Sequence, residues 1–156
     1  MTNILKCRQI HINSQKKANE THSCYYHRIK SEFMNNIFQN KYTFRGKTIK
    51  FQKYKNAFGE IESFYHVTTE DNGNGMRVLS LKRYESCLLI FLILDECICN
   101  KVTCQCVTIK SDYNNDERIS IFCGEYEYAI ILEEKPTYYK FVTAFPVNRP
   151  NTKNYL

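Results

Sequence analysis

Tyr139 and Thr143 carry hydroxyls four positions apart in residues 138–145, a segment that reads as an otherwise apolar strand. Strand side chains alternate with a period of two, so this even separation predicts both hydroxyls on one face. A polar pair there marks either an exposed sheet surface or a site. The upstream run Phe64-Tyr65-His66-Val67-Thr68-Thr69-Glu70 favours a site, because it brings an imidazole among aromatic rings. His66 is the natural proton carrier: an ordinary histidine titrates near ~6.5 and holds both protonation states close to neutrality. Glu70 and Glu85 are carboxylates of the right type for a base, and neither is assigned that role.

Cysteines make the second constellation. Cys97-Ile98-Cys99 and Cys104-Gln105-Cys106 put four thiols within ten residues, enough donors for a tetrahedral zinc. Zinc modules usually space each pair by two or more residues in a tight turn. One intervening residue in a strand instead points both thiols to the same face, and free cysteine packs as a small hydrophobe. A cysteine pair on each arm of a hairpin is a geometrically possible metal site and equally an ordinary buried face; the second reading is preferred, and no metal site and no cofactor are expected. Cys7 and Cys24 with His11, His22 and His27 fit no ligand spacing. Cys123 as a nucleophile would need a base such as His66 beside it, which nothing in the sequence requires.

These residues must be positioned by the elements around them. Residues 1–24 are polar and lysine-rich, and a loose arm is expected. Tyr26, Ile29, Phe33 and Ile37 recur every three to four positions and predict a helix over 25–37. Tyr42 and Phe44, then Arg45-Gly46-Lys47, then residues 48–51 read as a hairpin. Residues 61–67 are expected as a further strand, followed by an asparagine- and glycine-rich loop at 71–75. Ser80 caps a helix expected over 80–97. Strands follow at 104–110, 118–123, 128–132 and 138–145, and a loose tail begins at Asn148. The expected class is α+β: a basic helical lead-in over 1–40, then a four- to five-stranded antiparallel sheet with a packed helix over 41–147.

Composition bounds the function. At 156 residues, with 43% apolar and 14% aromatic side chains, the chain is expected to fold as one domain. Charge is uneven: residues 1–60 hold twelve Lys/Arg against three Asp/Glu, and residues 61–156 hold ten against thirteen. A basic first part suits a polyanion such as RNA or DNA, although a solvated basic surface also accounts for it. The longest aliphatic and aromatic run, residues 88–94, is too short to span a bilayer, where ~20 are needed. No secretory signal is read, since Lys6 and Arg8 come early without an apolar stretch behind them. A cytoplasmic protein with reduced thiols is expected, with delivery into another cell left open.

Phe64-Tyr65-His66, the loop 71–75, Lys82-Arg83-Tyr84-Glu85, Glu117-Arg118-Ile119 and Thr143-Ala144-Phe145-Pro146 occur in that order over roughly the last ninety residues. The arrangement resembles the clan of small nucleases that groups barnase, EndoU, the colicin ribonuclease domains and RelE, and within it the phage- and toxin-associated branch. The resemblance implies a helical lead-in, an antiparallel sheet, and metal-independent cleavage of RNA by the ribose 2′-OH. Such chemistry needs a base, an acid and cations for the phosphorane charge. His66 would then be the acid–base residue and Arg83 and Arg118 the phosphate clamps, with Thr143 and Tyr139 as positioning hydroxyls. Arg77 and Lys82 would contact the RNA backbone. A toxin or mobile-element effector is implied, acting on an RNA such as a tRNA or mRNA and restrained by an antitoxin or immunity protein. The bland alternatives stand beside this. Arg118 pairs with Glu133 or Glu85, Tyr139 packs as an ordinary aromatic, and the whole is a non-catalytic module that binds nucleic acid or protein.

Overall fold

The computed structural model describes residues 15–97, 107–111 and 117–155, without the side chains of Glu96, Cys97, Arg149 and Lys153. An α+β fold is observed. Helix α1 (His22–Gln39) starts at Thr21, whose hydroxyl accepts from the Cys24 amide at 3.1 Å. Tyr25, Ile29, Phe33 and Ile37, each four residues from the last, line its buried face. They share one core cluster with the sheet, so the lead-in helix is an integral part of the packing. Residues 15–20 are tied to α1 through Arg28, which donates to the Gln15 carbonyl at 2.9 Å and the Glu20 carboxylate at 2.9 Å. The rest of the expected arm, 1–14, lies outside the described residues.

Among the described residues, eight strands follow: β1 (Tyr42–Phe44), β2 (Lys47–Lys50), β3 (Thr69–Asp71), β4 (Arg77–Leu79), β5 (Val107–Ser111), β6 (Arg118–Cys123), β7 (Tyr128–Glu134) and β8 (Tyr138–Pro146). β3 and β4 form a separate two-stranded ribbon. The other six make one sheet in the order β1-β2-β8-β7-β6-β5. The expected four- to five-stranded antiparallel sheet is thus six-stranded and mixed, because β2 runs parallel to β8 with Thr48 opposite Tyr138. β8 would otherwise leave an unpaired edge, and the β1–β2 hairpin covers its first three residues.

A register shift between Ile131 and Leu132 breaks the alternation of β8. Ile131 faces Thr143, whereas Leu132 faces Phe141, which leaves Val142 as an extra residue. Tyr139, Phe141 and Ala144 consequently join the main core, in which Phe51 stacks on Phe141 at 4.6 Å. Thr143 and Phe145 stand on the opposite face. Phe145 there packs against a second cluster made by Phe122, Ala129, Val147 and Tyr155. Tyr155 belongs to a 3-10 helix (Arg149–Tyr155) and stacks on Phe122 at 5.7 Å. The tail expected to be loose is therefore held down, since burying such a ring is worth ~1.5–3 kcal/mol.

Two further expectations need correction. Residues 61–67, predicted as a strand, form helix α2 (Glu62–Thr68). Ser63, Phe64, Val67 and Thr68 are buried and Tyr65 and His66 are not, a helical period that aromatic and β-branched composition concealed. The helix expected over 80–97 breaks into α3 (Leu81–Ser86), α4 (Leu89–Leu92) and a π-helical turn (Ile93–Cys97). Its cap is as expected, with the Ser80 hydroxyl accepting from the Arg83 amide at 3.3 Å. Among the described residues, no helix is long and apolar enough to cross a membrane.

Candidate functional site

α2 lacks a side-chain cap, and a neighbouring segment satisfies its first amides instead. The Glu62 amide donates to the Tyr54 carbonyl at 2.9 Å and the Ser63 amide to the Gln52 carbonyl at 3.1 Å. The Ser63 hydroxyl accepts from the Gln52 amide at 2.8 Å. At the other end, Thr68 and Thr69 hydroxyls donate to the Phe64 and Tyr65 carbonyls at 2.7 and 2.6 Å. This short, doubly anchored helix packs against β8 beyond the part that β2 covers, and it carries His66 in its last turn.

The ring of His66 meets β8 directly. Its Nδ1 lies 2.9 Å from the Thr143 hydroxyl. Among the described residues its Nε2 has no hydrogen-bond partner. Burial is the main cause that lowers the histidine below its ordinary titration range; Arg77 and Arg83 push it the same way, and Glu62 opposes them.

The ribbon after α2 returns Arg77 to the helix. Its loop is the predicted one: the Gly73 amide donates to the Asp71 carboxylate at 2.7 Å, and Gly73 takes the positive φ of 88° that favours glycine. Arg77 then donates to the His66 carbonyl at 3.1 Å, and to the carbonyl and hydroxyl of Thr69 at 2.7 and 2.9 Å. Arg83, from α3, donates to the same Thr69 carbonyl at 3.0 Å, lies 3.9 Å from the Glu70 carboxylate and sits 5.7 Å above the Phe145 ring. Burial, and next the charge of Arg77, lower the Arg83 guanidinium from its ordinary range. Nη1 of Arg77 and Nη2 of Arg83 make no hydrogen bond among the described residues.

Four of the expected site residues are thus brought together: His66, Arg77, Arg83 and Thr143. Lys82 is exposed beside them and donates to Asn148 at 3.3 Å. Two are not. Tyr139 is buried in the core against Phe44, on the face opposite Thr143, because the β-bulge intervenes. Arg118 lies on β6, two strands from β8, 3.9 Å from the Glu133 carboxylate, the bland pairing that the sequence allowed. Sequence reasoning missed the Thr69 carbonyl, which holds both arginines, and Tyr128, a fully buried residue whose hydroxyl has no partner among the described residues. Neither has a local signal, since a backbone acceptor and one tyrosine among twelve look the same in any sequence. The cysteine cluster lies outside the described residues except for Cys97, whose side chain is not described. Among the described residues, no group of His, Cys, Asp and Glu is placed to hold a metal ion.

An unprotonated imidazole with one nitrogen fixed and the other open is a proton acceptor. Two guanidiniums beside it are groups of the type that can stabilise anionic charge. Compared with protein-family models, with curated proteins and with solved structures, the chain matches none of them.

Proposed function

We propose that this protein is a metal-independent endoribonuclease that cuts RNA by attack of the ribose 2′-OH on the adjacent phosphate. The convergence of His66, Thr143, Arg77 and Arg83 carries the reading. Nδ1 of the neutral ring donates to the Thr143 hydroxyl, which leaves Nε2 unprotonated and able to take the 2′-OH proton. The 2′-oxygen bonds to phosphorus while Arg77 and Arg83 face the phosphorane charge through their remaining N–H groups. The bond to the 5′-oxygen breaks, and that oxygen takes a proton from water. The products are a 2′,3′-cyclic phosphate and a free 5′-OH. The implied setting rests on the sequence resemblance: a cytoplasmic toxin or mobile-element effector acting on a tRNA or mRNA, restrained by an antitoxin or immunity protein.

One observation favours a second reading. Arg77 spends three donor contacts on backbone and side-chain oxygens of its own fold, as a purely structural arginine would. The protein would then be a non-catalytic module that binds nucleic acid or protein.

The deciding experiment incubates wild type and His66→Ala with total cellular RNA in EDTA and analyses the 3′ ends of any fragments. Fragments ending in 2′,3′-cyclic phosphate, absent with the variant, support the nuclease. Intact RNA with both folded proteins, together with binding that weakens in salt, supports the module.

A further inference from the structure

A cavity lies between the end of α1 and the residues in and just after β2. β1 stops pairing at Tyr42 opposite Ile49, and an open cavity of about 410 Å³ forms beyond that pair. Small-molecule sites measure ~300–1,000 Å³. Its floor includes the buried rings of Tyr42 and Phe51. Lys41, Lys50 and Lys53 stand exposed around it, and among the described residues none of the three has a salt bridge. Asp95, outside the cavity lining, lies near enough to Tyr42 for its charge to act on the phenol.

Aromatic rings sit beneath two of these cations. Lys53 Nζ is 5.5 Å from the Phe38 ring, which is 51% exposed, and Lys50 Nζ is 4.3 Å from the Tyr138 ring. Cations beside open aromatic rings are the combination that binds single-stranded nucleic acid, with phosphates on the former and bases stacked on the latter. A bare inorganic anion fits less well, because the C-terminal end of α1 carries partial negative charge. Its terminal carbonyls can accept from a base amino group or a ribose hydroxyl, which a nucleotide possesses and a simple anion lacks.

A short stretch of chain links the cavity to α2. Phe51 precedes Gln52, whose amide and carbonyl bond to Ser63 at the start of α2. His66 follows Ser63 by three residues, ~4.5 Å of helix rise.

We infer that this cavity is a subsite that holds one nucleotide of a single-stranded RNA, a few nucleotides from the bond at His66. Its phosphate lies among Lys41, Lys50 and Lys53, and its base stacks on Phe38, which stands beside Lys53 and outside the cavity lining. The inference rests on the nuclease reading for the role of His66 but not for the binding.

The test uses a fluorescein-labelled, single-stranded 2′-O-methyl RNA oligonucleotide, whose blocked 2′ position prevents cleavage. Its anisotropy is followed on titration with the full chain at several salt concentrations. Wild type should bind, and Lys50→Ala/Lys53→Ala should bind about tenfold more weakly with a log–log salt slope shallower by about two. Phe38→Ala should lose about fivefold or more without changing that slope. Arg118→Ala, a distant cation, should bind like wild type. Wild-type affinity in both the lysine and the Phe38 variants overturns the subsite, as does equally tight binding of a duplex that ignores Phe38→Ala, or no binding at all. Lysine- and Phe38-dependent binding without cleavage of natural RNA would sink the nuclease reading and leave the subsite standing. Cleavage indifferent to both variants would do the reverse.

Discussion

Nδ1 of His66 and the hydroxyl of Thr143 meet at 2.9 Å, although 77 residues separate them in the chain. The contact joins the last turn of α2 to β8 just past the bulge at Val142, and it leaves Nε2 as the open nitrogen of the ring. His66→Ala should lower kcat by ~10²–10⁴ without loss of fold. Thr143→Val removes one hydrogen bond and should cost about tenfold in kcat. Both are read from initial rates on a fluorogenic RNA, with circular dichroism as the fold control. Full activity in His66→Ala would refute the assignment.

The depressed titration of His66, caused first by burial and then by Arg77, gives a signed pH dependence. A base must be unprotonated, so kcat/KM should rise with pH through a value below that of an ordinary histidine and stay level through neutrality. An activity that falls across the same interval would make His66 the acid. Stability carries the same sign. The unfolded chain holds this proton more tightly than the folded one, so the contribution is complete above the ordinary histidine value. It is lost as pH falls through the folded value. Thermal melts of wild type and His66→Gln across that window should diverge accordingly.

Arg77→Ala severs the contacts that tie β4 to the end of α2 and to β3. Urea unfolding should show a loss of about 2–3 kcal/mol. Arg77→Lys restores charge but not the forked geometry, and should recover less than half of that loss. If Arg77→Ala is as stable as wild type, these bonds do not hold the ribbon.

Arg118→Ala should leave cleavage within about twofold of wild type, because the guanidinium sits beside Glu133 and away from His66. Glu133 keeps a second cation in Lys135, so unfolding should change by under ~1 kcal/mol. A large drop in kcat with unchanged stability would return Arg118 to the site.

Tyr128→Phe removes a buried hydroxyl without a partner among the described residues. Its melting temperature should stay level or rise, by the equivalent of up to ~1 kcal/mol. A loss of activity at unchanged stability would show that the hydroxyl acts through Arg83, whose charge it feels.

The existence of α1, β6, β7 and β8 was legible in the sequence because the patterns that mark them are local. Ile29, Phe33 and Ile37 repeat at helical spacing, and the tracts over β6, β7 and β8 are apolar runs bounded by turn residues. The loop at 71–75 and the Ser80 cap were legible for the same reason, since each is formed by its own side chains. His66, Arg77, Arg83 and Thr143 were legible as residue types. Their meeting was not. Residues 61–67 became a helix because the backbone of Gln52 and Tyr54 satisfies its first amides, a partnership between segments that no local window contains. Tyr139 and Thr143 parted because a bulge in the β7–β8 pairing inserts Val142, and a parity rule holds only while the register does. Arg118 and Arg77 are the same residue by chemistry. One landed beside Glu133 and the other beside His66, because hydrogen bonding across strands, which the chain acquires only on folding, decides which cation stands beside the imidazole.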